Sequence, residues 1–141
     1  MTLTKSARYA LYAALEMAIA GEEPVTVAGV AAEHRISPTV LAKVFQQLVR
    51  AGLALGARGV GGGYRLAKPG TSISVLDVIS VFEPPRDQGW EAGRNARAGL
   101  GRSARDQGLR QLFDEVDEQV RCTYASVSLD TLARRGRVGD Q

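Results

Sequence analysis

Thr39, Lys43, Gln46, Gln47 and Arg50 recur at spacings that gather them on one side of a helix. Placed at steps of about 100°, Leu41, Val44, Phe45 and Leu48 fall on the opposite side. Such a helix packs by its apolar stripe. Its other stripe carries only hydrogen-bonding and cationic groups, of lengths that reach base edges and phosphate oxygens. A solvated face on a small helical domain would have the same pattern, so the stripe alone leaves both readings open. A second group lies just beyond it. Arg58 and Arg65 flank the glycine-dense run 59–63. Glycines there let a backbone approach a sugar-phosphate wall, and an extended arginine fits a narrow minor groove. The alternative for Arg58 is an ordinary exposed hairpin charge.

Other chemistries are excluded by residue type. The chain has one cysteine, Cys122, and one histidine, His34. That rules out an intramolecular disulfide and any Cys-only zinc or iron–sulfur site within one chain. The glycine run is neither G-x-G-x-x-G nor followed by Gly-Lys-Ser/Thr, so it is not a nucleotide loop. No nucleophile–base pair stands out, and no enzyme is expected. Cys122 falls opposite the apolar stripe of its helix, near Glu115 and Glu118. Carboxylates one turn away make a thiol a poorer nucleophile, which favours an inert cysteine over a redox sensor. For His34, a structural or solvated role, a phosphate contact and a metal ligand all stand as readings.

The elements that must position these groups follow from caps and periodicity. Residues 4–20 read as a helix with Leu11, Ala14, Leu15, Ala18 and Ile19 at helical spacing, ended by Gly21. Thr26 caps a short second helix with Val27, Val30 and Ala31 facing inward, and His34 and Arg35 fall in the turn after it. Ser37-Pro38 opens the third helix, which stops before Gly52. Leu53–Ala57 and Gly63–Leu66 then read as two strands of a hairpin. Ser74 caps a fourth helix carrying Val75, Leu76, Val78, Ile79 and Phe82, ended by Pro84-Pro85. Residues 86–107 read as a polar loop, in which Trp90 either anchors the loop or lines an effector pocket. A long helix from about Arg105 to Tyr124 carries the stripe Leu109, Leu112, Phe113, Val116 and Val120. Ser128 starts a short helix through Leu132, and residues 134–141 read as a polar tail.

A helix-turn-helix followed by a two-stranded ribbon is a winged helix. The fold class is therefore mainly α: a winged helix-turn-helix with a two-stranded β wing, and a long C-terminal helix read as a dimerisation helix because its stripe from Leu109 to Val120 is too long for a small domain to cover alone. Four parts follow: a winged-helix DNA-binding domain over 1–85, a loop over 86–107, a dimerisation helix and C-terminal cap over 108–133, and the tail. At 141 residues, with 45% hydrophobic and 23% charged residues, the chain has ordinary globular composition. The net charge is +3, but residues 1–70 alone carry eight basic and four acidic side chains. That excess favours a polyanionic partner if it converges on one face. No apolar run is long enough to span a membrane and no signal peptide is evident, so a cytoplasmic location is expected.

The strings Leu3-Thr4-Lys5, Arg8-Tyr9-Ala10, Ile36-Ser37, Ala51-Gly52-Leu53, Arg58-Gly59 with Gly62-Gly63-Tyr64-Arg65-Leu66, and Val78-Ile79 before Glu83-Pro84 resemble one family of bacterial winged-helix transcriptional regulators. It is the family typified by IscR, NsrR and CymR. The resemblance is close over 1–85 and looser over 105–133, including Ser128, Leu129 and Leu132. It implies a homodimer that binds a palindromic operator in double-stranded DNA, usually as a repressor. It implies DNA contacts from Ser37, Thr39, Val40 and Ala42 at the start of the recognition helix, from Arg58 and Gly59 at the wing tip, and from Lys5 to a phosphate. Lys43, Gln46 and Arg50 on the polar stripe, with Tyr64 and Arg65 on the return strand, complete the expected DNA-binding set.

Three positions depart from relatives. Some place Glu where this chain has Ala42, which cannot accept a hydrogen bond from cytosine. Cluster-binding members carry three cysteines in the loop that here spans 86–107, which has none. Some add an acidic cluster ligand where this chain has Arg8. The chain thus resembles the cluster-free branch. No cofactor or metal is expected, and one alternative is that the loop answers a small-molecule or protein effector in place of the cluster. The other reading is a winged-helix protein–protein interaction module that uses the wing or third helix on a protein.

Overall fold

The computed structural model describes residues 3–57, 62–83 and 104–138. The hydroxyl side chains of Thr4, Thr26 and Ser74 each occupy a free amide where a helix begins. Helix α1 (Lys5–Ala20) is capped by Thr4, whose hydroxyl accepts from the Ala7 amide at 3.2 Å. Helix α2 (Val27–His34) is capped by Thr26, which accepts from Gly29 at 3.0 Å. Helix α3 (Pro38–Arg50) has Ser37 at its N-cap and Pro38 in its first turn, and the Ser37 hydroxyl makes no capping bond. Strands β1 (Ala54–Ala57) and β2 (Gly63–Leu66) pair antiparallel, with Leu55 opposite Arg65 and Gly56 opposite Tyr64. After a single 3₁₀ turn at Gly70–Ser72, helix α4 (Val75–Phe82) starts in a capping box. There Ser74 accepts from the Asp77 amide and Asp77 accepts from the Ser74 amide, at 3.0 and 2.9 Å. Helices α5 (Ala104–Ser126) and α6 (Leu129–Val138) complete the chain.

The chain divides into two units, residues 1–84 with 125–141, and residues 85–124. In the first, α1 packs on α2, α3, α4 and α6 and on β2. The core joins Ala10, Ala13, Ala14 and Met17 of α1 to Val30, Ala31, Ile36, Leu41, Val44, Phe45, Leu48, Ile73, Val78 and Leu129. The stripe expected inside α1 is displaced. Leu11, Leu15 and Ala18 are only half-buried, and Ile19 is exposed. The face that meets the neighbouring helices is instead Ala7, Ala10, Ala13, Ala14 and Met17. Alanines allow close backbone approach and lose no side-chain entropy, so a helix with partners on several sides turns its small residues to the most crowded one.

The C-terminal helix also departs from expectation. Arg134–Val138 continue α6 rather than forming a tail. Leu129 and Ala133 are buried, and Arg134 pairs with Asp130 one turn earlier at 3.0 Å. The start of α6 is joined to the segment before α4: the Leu129 amide donates to the Ile73 carbonyl, and the Val75 amide donates to Val127. These long-range bonds hold residues whose own sequence is mostly polar.

In the second unit, the described residues form one helix. α5 has no buried residue along its length. It begins at Ala104, so the last residues of the span expected as loop are helical; positions 86–103, including Trp90, lie outside the described residues. No helix among the described residues is long and apolar enough to cross a membrane.

Candidate nucleic-acid interface

α3 separates its two stripes as its sequence predicts. Leu41, Val44, Phe45 and Leu48 are buried, while Thr39, Val40, Lys43, Gln46, Gln47 and Arg50 are exposed. Ala42 is half-buried. The exposed stripe holds two cations, three hydrogen-bonding side chains and no acid. The unused Ser37 hydroxyl at its N-cap adds a fourth polar group. Free amides in the first turn of a helix favour anions, so this end of α3 suits a phosphate. Lys5 is exposed as the first residue of α1. The amide just before it, on Thr4, donates to the Glu83 carboxylate at 2.6 Å, which fastens the start of α1 to the end of α4.

The wing is held by backbone and by an aromatic stack. Val25 and Tyr64 exchange two backbone hydrogen bonds of 2.8 Å, which dock β2 against the segment preceding α2. At Gly63 a side chain would collide with the Val25 carbonyl oxygen, so only glycine permits this approach. Tyr64, expected among the DNA-binding residues, lies face to face with Phe45, ring centroids 4.6 Å apart. The half-buried ring joins the wing to α3, because Phe45 gives it an apolar surface that solvent does not. Arg65, the next residue along the strand, is exposed, as strand alternation requires. Arg58 and Gly59 lie outside the described residues.

His34 is the last residue of α2 rather than part of the turn. Its Nε2 lies 2.9 Å from Glu16 Oε1, and its ring stacks on Tyr12 at 4.5 Å. Of the readings left open for it, the structural one holds. The turn itself is made by Arg35, which adopts a left-handed conformation with φ 56° and directs its amide to Ala31. Sequence reasoning placed Arg35 in this turn but missed Tyr12 and Glu16 as partners of His34. The two are 22 and 18 residues from His34, so no local pattern joins them.

Along α5, Leu109, Leu112, Phe113 and Val116 are between 39% and 51% exposed, and Val120 is half-buried. Cys122 is exposed, and its thiol donates to Glu118 at 3.6 Å.

Comparison with known proteins places this architecture. The chain matches the Rrf2 family model, described as "Iron-dependent Transcriptional regulator", over residues 3–135. It is 36% identical over 134 residues to the regulator designated BadM of Rhodopseudomonas palustris, covering 95% of this chain and 82% of that one. It is 33% identical over 123 residues to the HTH-type transcriptional regulator IscR of Cereibacter sphaeroides, covering 85% and 79%. Among solved structures it is similar to CymR, the global cysteine regulator of B. subtilis, with TM-score 0.74, 26% identity and 96% and 98% coverage. IscR of T. potens superposes with TM-score 0.80 at 22% identity, over 100% and 92% of the two chains. The winged-helix fold expected from sequence, and the DNA-binding rather than enzymatic character, agree with these relatives. The chain belongs to the Rrf2 family of transcriptional regulators.

Proposed function

We propose that this regulator is a cytoplasmic homodimer that binds a palindromic operator, acts as a repressor and works without an iron–sulfur cluster. The observation that carries the reading is α5: 23 residues, none buried, with four large apolar side chains exposed in one stripe. Apolar patches of this kind mark interaction surfaces, and a second copy presents the same stripe by two-fold symmetry. A two-fold dimer offers two copies of α3 to half-sites about 34 Å apart or multiples of that spacing. Ser37, Thr39, Val40, Ala42, Lys43, Gln46 and Arg50 serve the major groove and its phosphates, Arg58, Gly59, Tyr64 and Arg65 the wing contact, and Lys5 a flanking phosphate.

The donor set of this chain does not fit an iron–sulfur cluster. Clusters are held mainly by thiolates. Each chain supplies one thiol, exposed on α5 beside Glu118, and one imidazole, engaged by Glu16 on α1. A small-molecule or protein effector is the corresponding proposal for the signal.

Selection of duplexes from a random pool, followed by sedimentation with the enriched duplex, tests the reading. The expected result is one dimer per two-fold symmetric site, with affinity falling steeply as salt rises through counterion release. An enriched site without symmetry, bound by monomer, would overturn the dimer. No enrichment, with salt-insensitive capture of a protein partner, would replace the DNA reading by the interaction-module one.

A further inference from the structure

Three residues separate His34 from the first residue of α3, and each is constrained. Arg35 turns the chain in the left-handed region, Ile36 is buried at 7% exposure, and Ser37 occupies the N-cap. The Ile36 amide donates to Ala31 and the Leu41 amide to Ser37, each at 3.0 Å. The link from α2 to α3 therefore has little slack, and the angle at which α2 ends is passed to the start of α3. At that end of α2, beyond the buried Val30 and Ala31, His34 is held against α1. Tyr12 and Glu16, one turn apart on α1, meet the same imidazole, one by stacking at 4.5 Å and one by a hydrogen bond of 2.9 Å. The pair is partly withdrawn from water, with side chains 19% and 27% exposed. Of the charged residues beside His34 in sequence, Glu33 and Arg35 are exposed, and Glu16 is the carboxylate bonded to the imidazole.

We propose that Tyr12, Glu16 and His34 form a positioning clasp that sets the first turn of α3 for sequence-selective recognition. None of the three belongs to the exposed stripe of α3, so each acts through the residues that do. The proposal rests on the DNA-binding reading and adds to it where selectivity is fixed. Base contacts need their donors and acceptors in register, whereas phosphate attraction tolerates small displacements. Loosening the clasp therefore lowers selectivity more than total affinity for DNA. Loss of one good base contact corresponds to roughly tenfold in discrimination.

The test uses the full-length protein and two duplexes of equal length: one enriched from a random pool by the wild type, and a scrambled one. Fluorescence anisotropy at fixed salt gives the ratio of the two affinities. His34→Ala and Glu16→Ala are expected to lower that ratio about tenfold while affinity for the scrambled duplex stays within about twofold. Glu16→Gln removes the same charge as Glu16→Ala but still accepts a hydrogen bond from the imidazole. It is expected to restore most of the ratio, which separates positioning from net charge. If His34→Ala fails to fold, the Glu16 pair decides alone. Folded alanine variants with a wild-type ratio, or equal losses on both duplexes, would overturn the clasp. A wild type that enriches no duplex would instead overturn the DNA-binding reading beneath it.

Discussion

The ring of Tyr64 on the return strand of the wing lies on Phe45 of α3, centroids 4.6 Å apart and planes 18° from parallel. Phe45 is fully buried and Tyr64 half-buried, so the contact seals the edge of the core beneath the hairpin. The wing and the polar stripe of α3 are thereby parts of one support.

Removing that support is expected to cost both stability and binding. Tyr64→Ala should destabilise by about 2–4 kcal/mol, near the range for truncating a packed aromatic. Tyr64→Phe keeps the stacked ring and should stay near wild type. Urea unfolding of the two variants checks this. Equal stability of Tyr64→Ala and Tyr64→Phe would show that the stack contributes nothing.

Gly63→Ala should be at least as harmful although it adds only one methyl group. The new carbon meets the Val25 carbonyl oxygen, so the paired bonds between Val25 and Tyr64 must break or shift. A melting temperature lowered by several degrees, together with faster amide exchange at Val25 and Tyr64, is the expected outcome.

Arg35→Gly is expected to stabilise the fold. A non-glycine residue in the left-handed region costs about 1–2 kcal/mol, partly offset by the extra freedom of glycine in the unfolded chain. A net gain of about 0.5–1 kcal/mol should appear in thermal unfolding. A loss of stability would mean that the Arg35 side chain holds the turn by contacts of its own.

Lys43→Ala and Gln46→Ala should differ in kind. If Lys43 meets a phosphate, its loss weakens binding to all sequences and lowers the salt slope by about one. Gln46 carries no charge, so its removal should change base preference at one position and leave the slope intact. Binding isotherms at several salt concentrations, on matched and singly mismatched duplexes, distinguish the two.

Val116→Asp with Val120→Asp should convert the protein to a folded monomer with much weaker operator binding. Val116 is exposed and Val120 half-buried, so the isolated chain tolerates the charges, whereas a paired stripe would bury them without partners. Sedimentation and anisotropy report the two effects. A dimeric double variant that still binds would remove α5 from the interface.

The local features of this protein were legible in its sequence. Thr26 and Ser74 begin their helices because short hydroxyl side chains satisfy free amides, and the two stripes of α3 follow from a period of about 3.6 residues. The hairpin follows from its glycines and extended arms, and the wing motif with the N-terminal strings carried the family. What depended on distant partners was not legible. Alanines rather than leucines line the buried face of α1 because several helices crowd it. Tyr64 turns to the core because Phe45, nineteen residues earlier, supplies a surface for it. Residues 134–138 are helical because Leu129 and Ala133 are held in the first unit, which extends a turn their own sequence only weakly favours. His34 meets Glu16 across two helices. Periodicity and capping act within a few residues and leave their mark on the local sequence. Packing joins residues far apart in the chain, and only the folded chain decides which of them meet.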